Sequence, residues 1–388
     1  MTMTAHFDDI TIEELRATGG LKWSAFPDKI GAFVAEMDFG VAPPITRALH
    51  AAVEVGAFGY LPGAATRRMS VAYSQWAHDR YRWDVSADGV RPLPDVIAGL
   101  EAAIRHFSTP GSAVIVPTPA YMPFLTVPDA LGRDLIQVPM ANHGGRYVYD
   151  LDALDAAFAA GGNLLVLCNP HNPVGRVLEP GELAAVAEVV ERHGGRVFSD
   201  EIHAPLVYPG YRHTPYASIS AATAGHTLTA TSSSKAWNLP GLKCAQLILS
   251  NDRDRALWSR VGPAAEHGAA NLGVIANTAA YTAGGPWLDD VLTYLDGNRR
   301  ALDDLVRQHL PGVGYVPPDG TYLAWLDVRD LELGERPAEF FLERAGVAMI
   351  DGVLCGDVGR GFIRYNFATP RPIMERTIEA MARALAAR

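Results

Sequence analysis

Cysteine is nearly absent from this 388-residue chain, which holds only Cys168, Cys244 and Cys355. An odd number with no C-x-x-C spacing builds neither a complete disulfide framework nor a zinc ribbon, and it suits a reducing cytosol. No metal site is expected. Long apolar runs are missing too, since no window approaches 18 uninterrupted apolar residues, and the opening stretch MTMTAHFDDITIEEL lacks a basic segment followed by an apolar one. Neither a membrane span nor secretion is expected, and the expected location is the cytoplasm. Positive charge is in deficit, with 33 bases against 43 acids for a formal net charge of −10 and no polybasic stripe. Nucleic acid is therefore not an expected partner. Lysine is scarce even among the bases: four are lysine (Lys22, Lys29, Lys235, Lys243) and 29 are arginine. Arginine does not lose its proton to become a nucleophile, whereas a lysine amine does, so a lysine kept in such a chain hints at amine chemistry. On the count alone, compositional drift is the simpler account.

What is present is core material. With 48% apolar and 20% charged residues, the chain is globular rather than disordered and long enough for two or three lobes. From Gly111 to Ser250, short β-branched runs alternate with helical periodicity. Ala113–Val116, Asp134–Val138, Asn163–Leu167, Arg196–Phe198, His226–Ala230 and Ala245–Leu249 read as buried strands. Residues 180–195 read as a helix with proline and acid at its start and glycine at its end, and Asp95–Phe107 as an amphipathic helix before the first strand. This interleaving predicts an α/β fold with a mostly parallel sheet sandwiched by helices, and functional residues in the turns after the strands. Beyond Pro286 the pattern changes to a long helix (Trp287–Leu310), strands near Tyr322–Val328 and Phe362–Phe367, and helices near Ala338–Ala345 and from Pro372. That predicts a smaller α+β lobe. The expected division is 50–285 for the large domain, with 1–49 and 286–388 forming the small one.

Four segments fall where this pattern predicts loops or strand ends. Cys168-Asn169-Pro170-His171-Asn172-Pro173-Val174-Gly175-Arg176 follows a buried strand, and its two Asn-Pro pairs force an extended turn. Ser199-Asp200-Glu201-Ile202-His203 places a carboxylate at a strand end, where an unpaired charge needs a partner; capping or solvation is the plainer role. The loop Thr231 to Lys243 gathers hydroxyls and two lysines, which can hold a phosphate and present an amine, although a serine-rich surface loop is the simple alternative. Arg364, inside the apolar run Ile363–Phe367, either pairs with an acid or offers its fork to a substrate carboxylate.

Taken together, in this order and spacing, the four segments resemble the class I/II aminotransferases of the aspartate aminotransferase fold, which use pyridoxal 5′-phosphate. Lys22-Trp23, Ala35-Glu36-Met37-Asp38-Phe39, Phe58-Gly59-Tyr60, Pro119 to Phe124, the Cys-Asn-Pro-His-Asn-Pro-Val-Gly run, Asp-Glu-Ile-His and Asn-Phe-Ala-Thr-Pro are similar to the MalY/PatB branch of cystathionine β-lyases and C–S lyases. The resemblance implies that Lys235 binds the cofactor covalently and then moves the Cα proton, and that Asp200 pairs with its ring nitrogen. It implies that Tyr121 stacks on the ring, that Asn172 hydrogen-bonds its 3-oxygen, that His203 binds the cofactor from the position where related aminotransferases carry a tyrosine contacting the same oxygen, and that Ser232, Ser234 and Lys243 hold the phosphate. Arg364 would clamp the substrate α-carboxylate, with Asn172 beside it. Tyr60 would reach a second subunit's site in a homodimer, as a catalytic and substrate-binding residue. Asn169 and His171 are expected as loop structure.

The chain departs from the pattern at two places. The helix that usually offers small residues to the phosphate here begins Pro94-Asp95-Val96-Ile97, so the amides of Val96 and Ile97 are assigned to the phosphate, and Asp95 would repel it unless turned away. Pro205 replaces an aspartate after Asp-Glu-Ile-His-Ala. The implied reaction is β-elimination from a cysteine thioether, giving thiol, pyruvate and ammonia. Transamination needs the same lysine, aspartate and arginine, and a pyridoxal-phosphate-binding regulator is a third reading, disfavoured because all three residues are present.

Overall fold

Alternating runs of Val, Ile and Leu bury both faces of a strand when helices cover both sides of a sheet. In the computed structural model, which describes residues 6–388, five such strands and two edge strands form one sheet. They are β1 (Val90–Leu93), β2 (Ala113–Thr118), β3 (Leu135–Pro139), β4 (Gly162–Cys168), β5 (Arg196–Asp200), β6 (Thr227–Thr231) and β7 (Ala245–Leu249), in the order β1-β7-β6-β5-β4-β2-β3. Strands β3, β2, β4, β5 and β6 run parallel, and β7 runs antiparallel to both its neighbours. The side chains divide by the period of two. Val114, Val116, Leu164 and Val166 enter one core with Leu100, Phe124 and Trp258, while Ile115, Leu165 and Leu167 enter another with Leu154, Leu183 and Val190.

The six strands read from the sequence are all present, with ends displaced by a residue or two, but β3 is not the buried strand expected: it lies at the sheet edge with only Val138 buried. The edge strand β1 is an addition. Its Arg91 and Pro92 break the apolar run that marks a strand, and a proline is tolerated at a sheet edge.

Helices follow their local signals. The labels used below are α1 (Pro43–Glu54), α2 (Val96–Ala102), α3 (Pro180–Arg192), α4 (Asn271–Ala283), α5 (Gly285–His309), α6 (Pro337–Arg344) and α7 (Arg371–Ala386). Helix α3 begins with Pro180 and a reciprocal cap between Glu179 and Glu182, and the chain leaves it at Gly194 with φ 59°. Helix α2 is shorter than the expected Asp95–Phe107 span, because the chain widens into a π-helical stretch over Ala103–Phe107.

The C-terminal region forms a four-stranded antiparallel sheet from Gly314–Tyr315, β8 (Leu323–Asp327), Ile350–Asp351 and β9 (Phe362–Asn366), with α5, α6 and α7 beside it. Ile30–Gly31 pairs in parallel with Val347–Ala348, which ties the N-terminal segment to this lobe. Residues 1–5 of the expected small domain lie outside the described residues. The expected boundary after residue 49 lies within α1, which packs against α4. One core cluster runs through both lobes, joining Phe39, Trp237 and Tyr281 to Tyr322, Phe341 and Phe367.

Candidate active site

Three consecutive sheet strands deliver the chemistry at their C-terminal ends. β4 leads into the turn carrying Asn172, whose two Asn–Pro bonds are cis, β5 ends on Asp200, and β6 leads into the loop carrying Lys235. β9 of the small lobe brings Arg364 to the same place. A cavity of about 340 Å³ is bordered by Asp200, Lys235, Arg364, Asn172, Tyr121, His203, Ser232, Ser234, Lys243, Val96 and Ile97. Every residue assigned from the sequence is there except Tyr60.

Lys235 is half-buried, and its Nζ donates to the backbone oxygen of Ala35 at 2.9 Å. Burial, and then the charge of Arg364, lower its pKa from 10.5 to about 8. Asp200 is buried with one oxygen accepting the N–H of Ile202 at 3.0 Å. Burial raises its pKa to about 7, with the neighbouring Glu201 charge adding to the shift. A cation placed against this carboxylate restores its ionised form.

Arg364 is the most telling residue. Only 3% exposed, it donates from Nη1 to Asn172 Oδ1 (3.2 Å) and from Nη2 to the Phe33 oxygen (2.9 Å), while its Nε has no partner. No carboxylate pairs with it among the described residues. A buried guanidinium without a counterion is costly, so the site is built to receive an anion. His203 is held neutral, its pKa pressed to about 3 by burial and then by Lys235 and Arg364, and its Nδ1 is also unpartnered.

At the other end of the cavity, Val96 and Ile97 open α2, where backbone N–H groups have no partner within the helix. Asp95 is the N-cap of that helix. One of its oxygens accepts the Ala98 N–H at 2.9 Å, and the other meets Lys243 Nζ at 3.1 Å. The feared repulsion is thus offset by a helix terminus and a lysine. The Ser232 hydroxyl donates to the Cys244 oxygen (2.7 Å) and accepts from Ser234 N (2.9 Å), which braces the loop at the cavity's edge.

The set fits pyridoxal 5′-phosphate. An amine poised to deprotonate near neutrality suits its aldehyde, a buried carboxylate suits its ring nitrogen, and free amides with Ser234 and Lys243 suit its phosphate.

Tyr60 stands apart from this cavity in the single chain. It is 89% exposed and borders a separate groove, which it shares with Phe58, Arg67 and His267, and which meets the first cavity at Lys243. Asn169 and His171 are loop structure as expected: Asn169 Oδ1 accepts from Leu178 N (3.0 Å), and His171 Nε2 lies 2.8 Å from the Pro119 oxygen. Sequence reasoning gave no role to Phe33, Val34 and Ala35, nor to Met122, Ile202 and Ile350, all of which wall the cavity. The signal for the first group was the Ala35-Glu36-Met37-Asp38-Phe39 motif, which holds Ala35 and follows Phe33 and Val34.

A parallel sheet whose strand ends converge a lysine, an aspartate and a counterion-free arginine defines an α/β enzyme of the fold type that handles amino acids through a pyridoxal cofactor. The chain belongs to the aminotransferase class I and II family, whose model matches residues 33–381, and within it to the MalY/PatB branch. It is 38% identical to the cystathionine β-lyase of Corynebacterium glutamicum, over 96% of this chain and 99% of that one. It is 33% identical to the cystathionine β-lyase PatB of Bacillus subtilis, over 91% and 93%. Among solved structures, cystalysin from Treponema denticola, which contains pyridoxal 5′-phosphate, superposes with a TM-score of 0.91 at 30% identity, covering 97% and 98% of the two chains.

Proposed function

We propose that the protein is a pyridoxal-phosphate-dependent carbon–sulfur β-lyase that cleaves cystathionine or a related cysteine S-conjugate to thiol, pyruvate and ammonia. The observation that carries this reading is the buried, counterion-free Arg364 sharing one cavity with the low-pKa amine of Lys235, in a chain this similar to named cystathionine β-lyases. When bound, the cofactor supplies an electron sink for charge developing at the substrate Cα. The chain's own residues do the rest. Arg364 takes the α-carboxylate in a charge-assisted fork and, with Asn172, orients the amino acid. Lys235, in its neutral form, takes the Cα proton. Asp200 holds the proton on the ring nitrogen. The Cβ–S bond then breaks, its electron pair leaves on sulfur, and water completes the release of pyruvate and ammonia.

We further propose a cytoplasmic homodimer in which Tyr60 reaches the partner's site. Exposed Phe58 and Tyr60, with Val55 beside them, support the shared interface, and three buried free cysteines suit the compartment. The proposed lobes are 50–285 for the large one and 1–49 with 286–388 for the small one.

The test is turnover without a keto acid. Purified holoenzyme given cystathionine or an S-alkyl cysteine is expected to release pyruvate and thiol in equal amounts over many turnovers. A single turnover, relieved by pyruvate or 2-oxoglutarate, would make transamination the main activity.

A further inference from the structure

Lys22 takes no part in the site above, yet in a chain that uses arginine almost everywhere it is a lysine buried to 2% exposure. Its ammonium spends all three donors: on Asp38 Oδ2 at 2.7 Å, on the Ala368 oxygen at 3.2 Å and on the Glu36 oxygen at 3.4 Å. The other oxygen of Asp38 accepts from Trp23 Nε1 at 2.8 Å, and its amide donates to the Ala368 oxygen at 3.1 Å. Gly31 lies so close that a Cβ there would come within 1.9 Å of the Lys22 oxygen, which leaves little room for this element to shift.

The pair anchors one end of a strap, residues 33–38, that lies along the active site and holds it through backbone oxygens. Phe33 accepts from Arg364 Nη2, and Ala35 accepts from both Lys235 Nζ and the Tyr322 hydroxyl, each at 2.9 Å. Asn366, two residues from Arg364 on β9, donates to Val34 and Glu36 at 2.7 Å, and Asn238 of the Lys235 loop brackets Met37. The strap is thus bonded to both the general base and the carboxylate clamp. A buried ion pair adds little net stability over an apolar replacement of the same volume, so its use here is better read as fixing one geometry.

We propose that Lys22 and Asp38 are positioning residues, fixing the strap so that the Ala35 oxygen places the amine of Lys235 and the Phe33 oxygen aims Arg364. This rests on the roles given above to Lys235 and Arg364, but not on which reaction follows. Lysine suits the task because a compact ammonium fits a nest of three acceptors, where a planar guanidinium does not.

The holoenzyme variant Lys22→Met/Asp38→Asn removes both charges, while the amide oxygen introduced in place of the carboxylate can still accept from Trp23. Trp23→Phe is a milder companion that keeps the ion pair and loses one bond to Asp38. Two readouts matter: half-saturation by L-alanine, followed spectroscopically, and the pH midpoint of the visible absorption band. In both variants Asp200, Glu36, Arg364 and His203 still face Lys235, so a moved midpoint reports its placement. The double variant is expected to weaken alanine binding by about tenfold and to shift the midpoint, with Trp23→Phe moving both readouts less and in the same direction. Ile378→Val, a core truncation in α7, serves as the stability control, lowering Tm and changing neither. A folded double variant with both readouts at wild-type values overturns the proposal; if that variant does not fold, unchanged readouts in Trp23→Phe do so. A wild-type enzyme that yields no pyruvate from any thioether would fail the lyase reading instead, with both spectroscopic readouts still measurable.

Discussion

An amine that must act as nucleophile and base at neutral pH has to give up its proton more readily than a surface lysine does. Burial of Lys235 achieves this, because desolvation penalises the charged form and the Arg364 guanidinium penalises it further, taking the pKa to about 8. The sign has a direct consequence. The reactive neutral fraction grows as pH rises through about 8 and is lost below it, so capture of pyridoxal 5′-phosphate by apoenzyme is expected to accelerate from about pH 6 to about pH 9 with a midpoint near 8. Stopped-flow absorbance checks this, and a midpoint above about 10 would show an unperturbed lysine. The same logic makes His203 a neutral hydrogen-bonding group throughout, since a pKa of about 3 keeps it uncharged over the working range.

Among the elements, helix α2 carries the most unusual local choice. Asp95 is a good N-cap in isolation, and the start of α2 faces the end of the cavity assigned to the phosphate. Its second oxygen pairs with Lys243, so helix stability and phosphate binding draw on the same carboxylate and the same ammonium. Asp95→Ala is expected to lower apoenzyme stability by about 1 kcal/mol through the lost cap. It is also expected to tighten cofactor binding a few-fold by freeing Lys243 and removing a like charge, a modest gain because both side chains are partly exposed. Urea unfolding of apoenzyme and equilibrium cofactor titration measure the two effects, and a variant that both stabilises the apoenzyme and loosens the cofactor would contradict this account.

For the whole molecule, one hydrophobic core passes from the large lobe into the small one, and the site lies where the two meet. Tyr60 lies outside that site within a single chain. If a second chain supplies it, inactive Tyr60→Ala and Lys235→Ala variants should regain part of the activity when mixed and reassembled, because some mixed dimers carry one intact site. Full activity in a protein shown by sedimentation to be monomeric would rule out the shared site.

The strands β2 and β4 to β7 were legible because burial on both faces leaves a mark within five or six consecutive residues, and the turns after β4, β5 and β6 were legible because Asn-Pro pairs, a strand-end carboxylate and a hydroxyl-rich loop are local signals too. Those features were enough to place Asn172, Asp200 and Lys235 at one edge of one sheet. Tertiary structure alone decided what these residues touch. The oxygen that holds Lys235 comes from Ala35, 200 positions away, and the oxygen beside Arg364 comes from Phe33, 331 positions away. It also decided that Asp95 caps a helix against Lys243 and that Ser232 turns its hydroxyl into its own loop. Periodicity and turn chemistry are properties of neighbours in the chain, whereas a hydrogen-bond partner, a counterion or its absence, and the desolvation that moves a pKa are properties of neighbours in space.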